Sequence, residues 1–215
     1  LLFNERRQHD SIKLFEISNI YNNEINQEKR LIGIIASGRV DNNYRDFSRK
    51  ISNNYINEIL DSAQINIEKD FQDIPRTSIN SKLKSHISYI EFEINSKLNI
   101  NYDAEIKDSY EFKKYIPISE FPSSSRDLSF ALKNESDLNI LQDFLLNLNE
   151  EFLKNIFIFD YYYDAQKNRE IKVGFRFIFQ SNIETMRDSE INKFMDEVIK
   201  KCLEIESVTI PGLDH

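Results

Sequence analysis

The chain has 215 residues, 40% hydrophobic, 12% aromatic and 30% charged, with a formal net charge of −8. That balance supports a packed core in one large domain or two small ones, and it excludes a chain that grips nucleic acid over its whole surface, because phosphate affinity needs a positive patch. A lone cysteine, Cys202, excludes an internal disulfide framework and points to a reducing compartment, and no apolar run approaches the ~20 residues of a membrane helix.

The N-terminal Leu1-Leu2-Phe3-Asn4-Glu5-Arg6-Arg7 reads as if it began inside a helix and has no signal-peptide pattern, so a fragment from the C-terminal portion of a longer polypeptide is expected. Residues 11–21, SIKLFEISNIY, alternate apolar and polar and predict a strand, with a bulge where the parity slips between Leu14 and Phe15. The polar NNEINQEKR turns the chain. LIGIIASGR (31–39), a short apolar run ending at Gly38, predicts a buried strand antiparallel to the first. Residues 44–64 predict a helix with Phe47, Ile51, Tyr55, Ile59 and Leu60 on one face. Residues 65–86 are weakly patterned, and SYIEFEI (88–94) predicts another strand. The polar stretch 99–120 ends with Pro117 and Pro122 close by, which sets a domain boundary between 1–118 and 119–215.

Beyond the boundary the pattern sharpens. DLSFAL (127–132) predicts a strand, and the serines 123–125 before it predict a turn. Asn134-Glu135-Ser136 opens a helix carrying Leu138, Leu141, Leu145 and Leu148. NIFIFDYYY (155–163) and EIKVGFRFIFQ (170–180) predict two strands joined by the turn DAQKNR. Asp188 or Ser189 caps a helix bearing Ile191, Phe194, Met195, Val198, Ile199, Cys202 and Leu203, and SVTI (207–210) closes as a short strand. The fold class is therefore α+β, with a terminal βαββαβ, ferredoxin-like module. That plan hosts many functions and by itself licenses none.

FPSSSRDLSF (121–130) resembles the opening of the ferredoxin-fold anticodon-binding domain that ends the beta subunit of bacterial phenylalanyl-tRNA synthetases, through Phe121-Pro122 and Arg126-Asp127-Leu128. Phe159-Asp160-Tyr161-Tyr162 is similar to that family's Phe-Asp-x-Tyr block. Lys172 to Phe179-Gln180 is similar to its third block, and Thr185-Met186-Arg187-Asp188-Ser189-Glu190-Ile191 to its fourth. Upstream, KLFEISNIY (13–21) and RLIGIIASGR (30–39) resemble two strands of the same subunit's catalytic-like domain. The resemblance is carried by 11–39 and 119–203 and thins between 65 and 118. The chain departs from the family where it ends in Ile210-Pro211-Gly212-Leu213 rather than Leu-Arg.

The resemblance implies a partial class II synthetase-like antiparallel sheet domain without an active site, followed by a module that binds the anticodon stem-loop of tRNA(Phe). It implies the synthetase alpha subunit as partner, in a cytoplasmic heterotetramer of two alpha and two beta chains. ATP and Mg2+ serve the whole complex and neither is expected on this chain; neither membrane nor DNA is an expected partner. The alternative is a protein-interaction module on the same scaffold, without RNA binding.

The residues themselves offer candidate RNA contacts. Along 170–180, Val173, Phe175, Phe177 and Phe179 form one face, which leaves Lys172, Gly174, Arg176, Ile178 and Gln180 opposite. If Ile156 and Ile158 are core, Phe157, Phe159 and Tyr161 join that basic face and make a stacking platform for unpaired bases; if a bulge swaps the parity, they are packing. Arg126, Phe157, Tyr161, Lys172, Gly174 and Arg176 are the candidate RNA-binding residues, with Arg126 either on phosphate or in a local ion pair with Asp127. Acidic residues outnumber basic ones from 121 to 215, so weak independent RNA affinity is expected. His9, His86 and His215 lack the spacing of a metal site, no Gly-rich phosphate loop is present, and Cys202 sits on an apolar helix stripe.

Overall fold

The computed structural model describes residues 1–6, 9–22, 27–81, 84–94, 117–163 and 170–213. The chain divides into two compact units, one comprising Leu1–Val40 and Lys50–Pro117, the other Asp41–Arg49 and Ile118–His215. Most of the polar stretch 99–120 and the turn DAQKNR lie outside the described residues.

The first unit contains α1 (Leu2–Arg6), β1 (Ser11–Asn22), β2 (Gln27–Gly38), α2 (Asn53–Ser62), β3 (Phe71–Asp73), a 3-10 turn at Arg76–Ile79 and β4 (Ile87–Glu93). Its antiparallel sheet runs β1-β2-β4-β3. The β1–β2 ladder is unbroken from Ser11↔Gly38 to Asn22↔Gln27, so the bulge expected at Leu14–Phe15 is absent. The parity slipped in the sequence because β1 is an edge strand with apolar residues on both faces, Leu14 on one and Phe15 on the other, both exposed. Gly38 ends β2 at φ +98°, where a Cβ would also collide with the Asp10 carbonyl oxygen.

Ala36, Val40, Ile51, Ile56, Leu60 and Ile90 form the core of this unit. The helix expected over 44–64 shortens to α2. Asn43 Oδ1 accepts from the amides of Arg45 and Asp46, at 3.0 and 3.2 Å, and Ile51 N–H donates to Gly38 O at 2.9 Å, so the chain turns before the helix starts. Ile59, expected on the apolar face, is exposed. Arg76 anchors the N-terminal turn by donating to Glu5, Ser37, Ser81 and Ser85. Burial would raise the Glu5 carboxyl, but hydrogen bonds from Ser81 and Arg76 and the Arg76 charge outweigh it and hold the group below its ordinary value.

The second unit contains β5 (Ser124–Leu132), α3 (Glu135–Leu146), β6 (Leu153–Tyr163), β7 (Ile171–Phe179) and α4 (Asp188–Cys202). Its antiparallel sheet runs β5-β7-β6. Thr209 adds a single bridge to the β5 edge, exchanging two 2.8 Å backbone bonds with Ala131, where a short strand was expected. The strand β5 starts earlier than the pattern suggested. Ser124 and Ser125 pair with Phe179 and Ile178 and belong to the ladder rather than to a turn.

Helix α3 is capped by Asn134, whose side chain accepts from Asp137 N–H at 2.8 Å. Helix α4 has Arg187 rather than Asp188 or Ser189 at its N-cap, and Glu190 Oε2 accepts from Arg187 N–H at 3.1 Å. Phe130, Phe175, Phe177, Phe179, Leu141, Leu145, Ile191 and Cys202 are fully enclosed between this sheet and the two helices. Burial pushes the Cys202 thiol up to about 12, consistent with packing rather than reactivity. The architecture is α+β, two antiparallel sheets with helices, the second on the ferredoxin-like plan.

Candidate nucleic-acid interface

Strand β7 lies at the centre of the second sheet. Ile171, Val173, Phe175, Phe177 and Phe179 are buried in the core with α3 and α4, so Lys172, Gly174, Arg176 and Ile178 point to the other face. On β6, Ile156 and Ile158 oppose Phe177 and Phe175 and pack on the core, while Phe157 opposes Arg176. The fold thus brings Phe157, Gly174 and Arg176 together, as the alternation predicts.

The register then shifts between Ile158 and Asp160, leaving Phe159 as the extra residue of a bulge. Beyond it Tyr161 opposes Val173 and Tyr162 opposes Lys172. The expected sharing of one face by Phe157, Phe159 and Tyr161 is therefore corrected: the alternation fails after Phe159, and Tyr162 takes the place beside Lys172. Gly174 does admit a flat group, but that group is the chain's own Phe159 ring, 2.8 Å from where a Cβ would stand.

This face is not open. The segment Asp41–Arg49, part of the same unit, lies over it. The Phe47 ring centre is 5.9 Å from that of Phe157 and 5.5 Å from that of Phe159, and Phe47 is buried. The Arg176 guanidinium carbon lies 4.7 Å from the Phe47 ring centre and 5.4 Å from that of Phe159, a cation held beside two rings. Its Nε and Nη2 donate to the two oxygens of Asp127 at 2.7 and 2.6 Å.

Arg126 stands on the opposite face, paired in register with Phe177. It donates to Asp188 Oδ1 at 2.5 Å, to Asn192 Oδ1 at 3.3 Å and to the Ser125 carbonyl at 3.0 Å. Neighbouring residues of a strand point to opposite faces, so Arg126 and Asp127 each pair across the fold rather than with one another. Lys172 remains exposed, its Nζ 3.3 Å from the Glu170 carboxylate.

What stays accessible is an aromatic edge. Tyr161, Tyr162 and Tyr163 are 37%, 55% and 48% exposed, and Tyr44 is 42% exposed with its ring centre 5.6 Å from that of Tyr161. Arg45 Nε donates to the Tyr44 hydroxyl at 3.1 Å, with the guanidinium 5.5 Å from the Tyr44 ring centre. Sequence reasoning missed Tyr44, Arg45 and Phe47 as site residues, since it expected all three inside the helix over 44–64, with Phe47 on its apolar face. The signal was there: Asp41-Asn42-Asn43 is a run of turn formers at the supposed start of that helix. Among the described residues, no group of three His, Cys, Asp or Glu side chains could hold a metal ion, and no helix is long and apolar enough to cross a membrane.

Residues 119–210 match the family model of the ferredoxin-fold anticodon binding domain. Over nearly its whole length the chain is similar to proteins named phenylalanine--tRNA ligase beta subunit. It is 26% identical to that of Carboxydothermus hydrogenoformans, covering 92% of this chain and 28% of the relative. It is 25% identical to that of Mycoplasma mycoides, covering 96% and 29%. A chloroplastic beta subunit from Pyropia yezoensis is 26% identical, covering 94% and 33%. The chain therefore spans about a third or less of the length of these curated relatives.

Proposed function

We propose, taking residues 119–210 as the ferredoxin-fold anticodon binding domain that their family model describes, that this chain is the C-terminal part of a phenylalanine--tRNA ligase beta subunit. Its second domain, 119–215 completed by Asp41–Arg49, holds the anticodon stem-loop of tRNA(Phe). Its first domain, the rest of 1–118, is a non-catalytic class II-like scaffold for the catalytic alpha subunit, in a cytoplasmic assembly of two alpha and two beta chains. ATP-dependent attachment of phenylalanine, with its Mg2+, takes place on the alpha subunit. The described residues of this chain do not fit a metal, and no chemical step is assigned to them.

The observation that carries the reading is the exposed tyrosine run of β6 beside Lys172, within the stretch that matches the anticodon-binding family. Exposed rings beside a cation stack unpaired bases and neutralise phosphate, which is how single-stranded loops are held. In this reading Tyr162 with its neighbour Lys172, and Tyr161 at the β6 edge beside Tyr44, touch RNA, while Phe157, Gly174 and Arg176 form the packed layer that fixes the β6 edge, and Arg126 sets the start of α4 against β5. The acidic balance makes affinity weak in isolation and steeply dependent on salt. The match to the anticodon-binding family model and the similarity to ligase beta subunits favour this reading over a protein-interaction module without RNA binding.

The test is fluorescence anisotropy of the 215-residue chain against a phenylalanine anticodon hairpin and a non-cognate hairpin at low salt. The reading expects preference for the cognate hairpin, weakened about tenfold or more by Tyr161→Ala with Lys172→Ala. Undetectable binding, or equal and mutation-insensitive binding, overturns it.

A further inference from the structure

We infer that the segment Asp41–Arg49, besides covering the sheet, is itself an RNA contact: Tyr44 and Arg45 extend the β6 aromatic edge into a seat for one unpaired nucleotide, with its base on the tyrosine rings and its phosphate on Arg45. This rests on the RNA-binding reading above and adds a site outside the stretch that matches the anticodon-binding family, which is 119–210.

Three observations converge. The Tyr44 ring packs on Tyr161 at 5.6 Å and 53°, and 42% and 37% of the two residues stay exposed, which leaves ring surface open to a stacking base. Arg45 is oriented by its bond to the Tyr44 hydroxyl and uses Nε for it. It has no carboxylate partner among the described residues, whereas Arg49 is paired with Asp46, Arg126 with Asp188, Lys172 with Glu170 and Arg176 with Asp127. The segment is also held firmly for the task. Phe47 anchors it between Phe157 and Phe159, and Asn43 caps the turn that presents Tyr44 and Arg45. A guanidinium fixed beside exposed rings, with Nη atoms not committed to an acid, suits a base and its phosphate together.

The occupant favoured is RNA rather than an acidic peptide, because the site continues the tyrosine run of the stretch that matches the anticodon-binding family, and a base uses the rings while its phosphate uses Arg45. The test uses the full 215-residue chain and the phenylalanine anticodon hairpin. Tyr44→Ala and Arg45→Ala are each expected to weaken binding about tenfold, with Arg45→Ala also lowering the salt dependence by about one phosphate contact. Tyr44→Phe should retain most of the affinity. On the unaltered chain, photo-crosslinking from 4-thiouridine in the hairpin loop should label a peptide spanning Val40–Arg49, which needs no variant to fold. If the hairpin binds in a Tyr161-dependent manner, yet both alanine variants bind within twofold of the parent and no crosslink reaches that peptide, the inference is overturned and the anticodon-binding reading stands. If the parent chain binds no RNA, both fall.

Discussion

The sheet β5-β7-β6 is covered on both sides: α3 and α4 enclose one face, and Asp41–Arg49 lies over the other. The sheet β1-β2-β4-β3 carries α2 on one face, and its edge strand leaves Leu14, Phe15, Ile17, Ile20 and Tyr21 exposed. Identical residue types do different work in the two sheets. Phe175 is fully buried and Phe15 is 74% exposed. Stability follows enclosure rather than composition, because a ring in water gains neither transfer free energy nor packing contacts.

The largest expected effect tests that contrast directly. Phe175→Ala should cost about 3–5 kcal/mol, whereas Phe15→Ala should fall within about 0.5 kcal/mol of the parent. Hydrogen exchange should show Phe175→Ala removing protection from β5–β7 and leaving β1–β2 intact. Comparable costs for the two rings would dissolve the distinction between the sheets.

Next comes the covering segment. Phe47→Ala should cost about 2–3 kcal/mol in urea unfolding and should raise exchange at β6 and β7, since it uncovers Phe157 and Phe159. A cost near zero would mean that the second face of this sheet does not depend on Asp41–Arg49. Gly38→Ala should destabilise the first unit by about 1–3 kcal/mol, because its positive φ and the Asp10 carbonyl leave no place for a Cβ. Gly174→Ala should also destabilise, since a Cβ there meets the Phe159 ring at 2.8 Å and Asp160 Cβ at 3.2 Å, and that ring is backed by Phe47.

The smallest effect is in acid, and it has one sign in both units. Asp137 accepts from Ser207 Oγ, and this bond, aided by Asn134, holds its carboxyl below the ordinary value. A carboxyl lowered in the folded state contributes stability above its unfolded pKa and loses it as pH falls through the lowered one. The stability gap between the parent and Ser207→Ala should therefore be present at pH 7 and close at acid pH, as followed by circular dichroism. Glu5 follows the same rule in the first unit through Ser81 and Arg76. A gap that widens in acid would reverse the assignment.

Much of the fold was legible in sequence. The buried face of β7, the leucines of α3 and the stripe of α4 have clean periods because each packs one face on a deep core. The ends of elements were less legible. Arg187 caps α4, and Ser124 and Ser125 extend β5, because ladder partners and reciprocal caps are set by residues distant in the chain or one position away. The candidate site was half legible. Alternation correctly joined Phe157, Gly174 and Arg176, but one inserted residue, Phe159, exchanged Tyr161 for Tyr162 beside Lys172. Arg126, left by its motif between a phosphate contact and a local pair with Asp127, is held by Asp188 instead of Asp127.

Residue order and period therefore settled which side chains share a face, since a strand repeats every two residues and a helix every 3.6. They could not settle what covers that face. Only the tertiary structure decided that Phe47, far away in the chain, packs against Phe157, Phe159 and Arg176, where the sequence left a stacking platform and plain packing both open. The physical reason is that burial is a property of the pair of surfaces that meet, and periodicity describes only one of them.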